Sequence, residues 1–162
     1  MLKPSNNPIL QTVALCIVCL VFTFPKHMGF ILAFAFVFLI PSMFKSAYIV
    51  FVKKKGQKQR TIQTALWAVT CTAVIVHHAY LHYTTREFAQ EVAVKIHSYK
   101  DKNGSYPKDI ETIGYTSKDL KPYWLAYFHN DNDPHLFYAA TWIVYDAYTY
   151  DFTKGIWALQ AS

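Results

Sequence analysis

The first half of the chain is a succession of apolar runs broken by short polar segments. Residues 9–24 read ILQTVALCIVCLVFTF with no charge, and Pro25-Lys26-His27 closes the run. A helix over this stretch rises about 24 Å, slightly short of a ~30 Å hydrocarbon core, a gap that a thin bilayer or extension by Pro8 and Pro25 would close. The second run, residues 28–44, carries more Phe than a helix surrounded by water tolerates. Pro41 is expected to kink it, Lys45 to snorkel towards headgroups, and residues 46–52 to carry the helix to the interface. The three-residue break between the runs predicts a tight helical hairpin. After KKKGQKQR (53–60), a third run over 61–83 has Trp67 inside it and Tyr80 and Tyr83 near its end, where aromatic side chains suit a membrane interface. The pattern therefore predicts a membrane anchor over 1–84 with three transmembrane helices, at about 8–25, 28–52 and 61–84.

After Thr84 the pattern changes. REFAQEVAVKIHSYK (86–100) spaces Phe88, Val92, Ile96 and Tyr99 as one helical face, with Glu87, Glu91 and Lys95 opposite. No Gly or Pro intervenes between Thr61 and Lys102, so one long helix can leave the membrane and become amphipathic. Asp101-Lys102-Asn103-Gly104 is a helix stop. Pro107 suits the first position of a short helix through Asp109, Ile110 and Ile113, ended by Gly114. From Tyr123 onward aromatic and β-branched residues dominate, and strands are predicted at about 123–129, 135–146, 148–152 and 155–160. The turn cluster Asn130 to Pro134 separates the first two. The expectation for 85–162 is a small extracytoplasmic α+β domain, a helix packed on a four-stranded antiparallel sheet.

Charge then assigns sides. Residues 1–84 hold eight bases and no acid; residues 85–162 hold eight bases and all ten acids of the chain. Five of the bases, Lys53, Lys54, Lys55, Lys58 and Arg60, crowd one short segment, and such segments stay cytoplasmic. The N-terminus is then expected in the cytoplasm and the C-terminal domain outside, in the periplasm for an inner-membrane protein of a Gram-negative cell. A sequence pI near 9 normally invites a nucleic-acid reading. Here the excess charge flanks lipid, so the expected partners are the bilayer and a protein, with no nucleic acid. Cys16, Cys19 and Cys71 all lie in the apolar half, leaving the C-terminal domain without a disulfide. No small-x-small site follows the first run, which is therefore expected to be retained as an anchor.

The order of long hydrophobic helix, amphipathic extension and YKDKNGSYPKDIETIG (99–114) resembles the globular half of type IV pilins and type II secretion pseudopilins, which share a Y-K-x-x-N-G-x-Y-P helix exit. The resemblance covers about 84–160, with 99–107 carrying the motif, and implies a pilin-like fold. Prepilins also begin with a basic leader, a cleavage-site Gly and a Glu shortly into the first apolar helix. This sequence has no acid before Glu87 and places the domain after its third run. Processing by a prepilin peptidase and assembly into a fibre are not expected.

Several residues carry candidate chemistry. His78 and His82, four apart, share a helical face and could contribute to a metal or haem site, with His77 adjacent; two ligands make half a site, and interfacial polar residues are the competing reading. Cys16 and Cys19 form a C-x-x-C inside an apolar run, and Cys71 has no companion in sequence, so packing residues are expected. Asp131, Asn132 and Asp133 could feed a calcium loop but read first as a turn. Tyr145, Asp146, Tyr148, Tyr150, Asp151 and Trp157 form an aromatic and acidic strip in the last strands. It is core if it faces the helix and a partner-binding surface if it is open. His97, His129 and His135, with Ser98, Ser105, Ser117 and Ser162, stand in no catalytic motif. The functional expectation is a non-enzymatic protein without cofactor whose outside domain binds another protein. An immunity protein against an exported toxin is one version; an accessory subunit of a secretion or pilus-type complex, or a metal- or haem-handling membrane protein, are the alternatives.

Overall fold

The structure, a computed structural model, describes residues 7–49, 52, 57–130, 133–141 and 146–160. The chain forms two compact units, Met1–Ala79 and Tyr80–Ser162.

In the first unit, α1 is Pro8–Thr23 and α2 is Ile31–Tyr48. Asn7 begins α1 by accepting the Ile9 N–H on its side-chain oxygen at 3.0 Å, and Pro8 follows at the first helical turn, where its missing N–H is harmless. The segment after α1 is longer than a tight hairpin. It runs from Phe24 through Phe30, with His27 at φ +69°, before α2 begins. The third helix, α3, is Gln57–Asn103.

The expectation of three transmembrane helices is overturned. Among the described residues one helix, α3, is long and apolar enough to cross a membrane. The first run is helical over 16 residues only, about 24 Å. The second begins three residues later than its apolar composition and carries Pro41 and Lys45 in its C-terminal half.

In the second unit, the part of α3 after Ala79 packs on a sheet of four antiparallel strands in the order β1-β2-β3-β4: Leu125–Asn130, Asp133–Ala139, Ala147–Asp151 and Ile156–Gln160. Ala89, Val92, Ala93 and Ile96 are fully buried, at the three-and-four spacing of a helical stripe. The buried face is centred on Ala89 and Ala93, while Phe88 stands at its flank, stacked on Tyr123 at 4.1 Å. Leu125, Leu136, Tyr138 and Tyr150 meet the stripe from the sheet, and Ile110 and Leu120 close the core.

Three local expectations change. Pro107 starts no helix. It is fully buried, and its carbonyl accepts the Tyr127 hydroxyl at 2.6 Å. The helical turns come later, as 3-10 turns at Glu111–Ile113 and Lys121–Tyr123 around α4, Ser117–Leu120. The second strand stops at Ala139 rather than 146, because the β2–β3 ladder closes at Ala139 opposite Ala147 and the Ala140 N–H bonds the Asp146 carbonyl at 2.8 Å. The third strand begins one residue early, at Ala147, and ends at Asp151.

Candidate partner-binding face

Register decides which side of the sheet each residue occupies. Leu125 pairs with Tyr138, Tyr138 with Tyr148 and Tyr148 with Leu159, so odd residues of β1 and β4 and even residues of β2 and β3 face the helix. Tyr148, Tyr150 and Trp157 therefore lie on the helix side. Tyr150 is buried, Tyr148 stacks on Tyr138 at 5.1 Å, and the Trp157 ring sits 5.0 Å from both Tyr138 and Tyr150. Trp157 also donates its indole N–H to Gln90 of α3 at 2.9 Å. Asp151 organises the β3–β4 turn: its Oδ1 accepts the N–H groups of Thr153 and Lys154, both at 2.9 Å. Asp146 is half-buried and supplies the backbone carbonyl that Ala140 bonds. Tyr145 falls outside the described residues.

The opposite face carries Ala126, Phe128, His135, Phe137, Thr149, Ile156 and Ala158, none of which joins the core. Phe128 and His135 are directly cross-strand and their rings stack at 4.7 Å, while Phe128 meets Phe137 edge-on at 5.9 Å. His135 also lies 3.6 Å from the Asp133 carboxylate, an ion pair when the ring is protonated. Ala126, Phe137, Thr149 and Ala158 form one cross-strand row, and in the next row Ile156 stands on the edge strand opposite Asp151, which the same alternation places on this face. Ile156 is 54% exposed and Phe128 49%. Alternation groups these residues only strand by strand; the register across the four strands is what puts them together on the uncovered side, with Tyr148 and Tyr150 on the other.

Titration follows the packing. Burial pushes both the Tyr127 and the Tyr138 hydroxyls up to about 12. The Tyr115 hydroxyl, donating to Glu91 at 2.7 Å, and Lys95 beside it hold the Glu91 carboxyl below its usual range. The Tyr138 hydroxyl has no hydrogen-bond partner among the described residues.

The other candidates disperse. His78 is buried in the first unit with Nε2 2.7 Å from the Thr23 carbonyl; His77 Nε2 lies 3.0 Å from the Phe24 carbonyl and its ring stacks on Phe24 at 4.3 Å. With Nε2 protonated, both rings donate to carbonyls at the end of α1, which the helix itself cannot satisfy. His82 belongs to the second unit, 5.2 Å from the Tyr148 ring. Among the described residues no three His, Cys, Asp or Glu side chains come together as a metal ion would require. Asp133 pairs opposite Asn130 in the β1–β2 ladder, and Asp131 and Asn132 fall outside the described residues. His97 packs among Tyr106, Tyr150 and Phe152, away from His129 in β1 and His135 on the open face. Lys53, Lys54 and Lys55 are outside the described residues. Lys58 and Arg60 lie in the first turn of α3, Lys58 lining an open cleft with Asn7, Pro8 and Ile62.

The chain matches no protein-family model, no curated protein and no solved structure.

Proposed function

We propose that this is a non-enzymatic membrane protein whose C-terminal unit binds another protein through the open face of its sheet. The observation that carries the reading is the placement of Phe128, Phe137 and Ile156 on the sheet face that no core residue shares. A small domain normally buries such residues, and exposed aromatic clusters concentrate interface energy. The length and apolarity of α3 support membrane attachment. The bases Lys53, Lys54, Lys55, Lys58 and Arg60 precede its apolar stretch and no acid precedes Glu87, which supports a cytoplasmic start for α3 and an extracytoplasmic C-terminal unit, periplasmic in a cell with two membranes. Anchoring would confine the binding face to the partner's compartment and raise its effective concentration there. An exported toxin, neutralised by an immunity protein of this form, is the partner class proposed. The pilin-like reading of 84–160 remains part of the proposal and is supported by the packing of a helix on an antiparallel sheet.

A photo-crosslinking residue placed at Phe128 or Ile156 in living cells tests this. The reading expects a discrete protein adduct from both positions and none from Lys108, away from the strands. Absence of any adduct from the open face, or the same adducts from Lys108, would overturn it.

A further inference from the structure

In the first unit, Gln63 of α3 donates its side-chain amide to the Pro8 carbonyl at 3.1 Å and to the Thr12 hydroxyl at 3.0 Å. The Thr12 hydroxyl in turn donates to the Pro8 carbonyl at 2.9 Å. These bonds hold the first turn of α1 beside the first turns of α3. At the same end the two helices leave an open cleft of about 410 Å³, lined by Asn7, Pro8 and Ile9 on one side and by Lys58, Gln59 and Ile62 on the other. That volume is in the range of small-molecule sites, about 300–1,000 Å³. Ile9 and Ile62 give the cleft apolar walls, while Lys58 and Gln59 give it a cation and an amide donor. No carboxylate of the first unit neutralises Lys58, because no acid precedes Glu87. Lys58 also belongs to the run of five bases in eight positions over 53–60, so the cleft stands in a field of one sign.

We propose that this cleft binds the headgroup of an anionic phospholipid, its phosphodiester oxygens on Lys58 and Gln59 and its glycerol carbons along Ile9 and Ile62. The inference rests on the membrane attachment proposed for α3. Charge complementarity selects an anion, since the first unit offers bases and no acid. The apolar walls select a lipid over free phosphate, which has no carbon to place against Ile9 and Ile62. The cleft adjoins the start of α3, the one described helix long and apolar enough to cross a membrane, and basic pockets beside membrane-spanning helices hold anionic headgroups. A choline headgroup is disfavoured because it brings its own ammonium towards Lys58.

The full chain in dodecyl maltoside micelles is given equal amounts of phosphatidylglycerol and phosphatidylcholine with the same acyl chains, and retained lipid is counted by native mass spectrometry. The expected result is retention of phosphatidylglycerol in preference to phosphatidylcholine, with no displacement by inorganic phosphate. Lys58→Gln should cut the preference about fivefold, the effect of one base near an anionic surface. Gln59→Glu, which puts a carboxylate in the cleft, should cut it at least as far. Lys26→Gln removes the same charge beyond the other end of α1 and should leave the preference unchanged. Equal retention of the two lipids, equal losses from Lys58→Gln and Lys26→Gln, or displacement by inorganic phosphate overturns the proposal. A chain that stays in solution without detergent overturns it together with the membrane reading, whereas an anchored chain lacking the preference overturns it alone.

Discussion

Trp157 on the edge strand β4 donates its indole N–H to Gln90 on α3 across 2.9 Å. The bond joins the last strand to the helix at a point where β4 is otherwise largely exposed. Gln90→Leu removes the acceptor and leaves the indole half-covered. Because water still reaches part of the ring, the expected loss is at most about 1 kcal/mol. Urea unfolding followed by tryptophan fluorescence checks it, and an unchanged midpoint would show that β4 is held by its ladder alone.

Tyr138 is fully buried, and its hydroxyl has no partner among the described residues. A buried unpaired hydroxyl costs on the order of 1–3 kcal/mol, whereas the ring's contacts with Tyr148 and Trp157 need no oxygen. Tyr138→Phe is therefore expected to raise stability by about 1 kcal/mol. Destabilisation by this substitution would mean that the hydroxyl is satisfied in the folded protein.

The same residue sets an alkaline limit together with Tyr127. In the unfolded chain a tyrosine titrates near pH 10, and in the folded protein burial moves both groups to about 12. Below pH 10 both states hold the proton. Between 10 and 12 the unfolded chain ionises first, so stability is lost as pH rises through that window. Denaturation midpoints from pH 9 to 12 should fall, and Tyr138→Phe and Tyr127→Phe should each flatten the fall. Tyr127→Phe should also lower stability at neutral pH, because it strips the buried Pro107 carbonyl of its donor.

The helix-on-sheet arrangement was legible because two periodicities, three-to-four in 86–100 and two in the strands, are visible in the residues themselves. What periodicity does not carry is phase. Tyr148 and Tyr150 alternate in either orientation of β3, and only the pairing of Tyr138 with Tyr148 turns them to the helix and leaves Phe128 and Ile156 outside. Strand length failed for a related reason: residues 140–146 have strand composition throughout, and the limit at Ala139 comes from the ladder partner Ala147. In the apolar half, composition overstated the number of membrane-crossing helices, because a run of apolar residues does not fix where its helix ends.

Asp151 holds the β3–β4 turn through its carboxylate. Its carboxylate accepts the Lys154 and Thr153 backbone N–H groups and lies 3.4 Å from the Lys154 ammonium, and the Lys154 N–H is the leading reason its pKa sits below the usual range. A carboxyl lowered in the folded state contributes stability above its ordinary pKa and loses it as pH falls through the folded value. Asp151→Ala should lower the melting temperature by a few degrees at neutral pH and reduce the acid-dependent part of the decline. Asp151→Asn, which keeps an acceptor for the turn, should preserve more of the neutral-pH stability. Equal losses in the two variants would assign the effect to charge rather than to the turn.

The basic segment around the start of α3 makes the compartment testable. Positive residues beside an apolar helix are retained on the cytoplasmic side, and Lys53, Lys54, Lys55, Lys58 and Arg60 are five within eight positions. Paired reporters fused after Gln160, one active only in the cytoplasm and one only outside it, should give signal from the outside reporter alone. Replacing all five bases with Gln should redistribute the fusion towards mixed orientation, while replacing Lys118, Lys121 and Lys154 in the C-terminal unit should leave it unchanged. A cytoplasmic signal from the unmodified chain would remove the open sheet face from the compartment in which a partner is proposed, whatever that face binds in isolation.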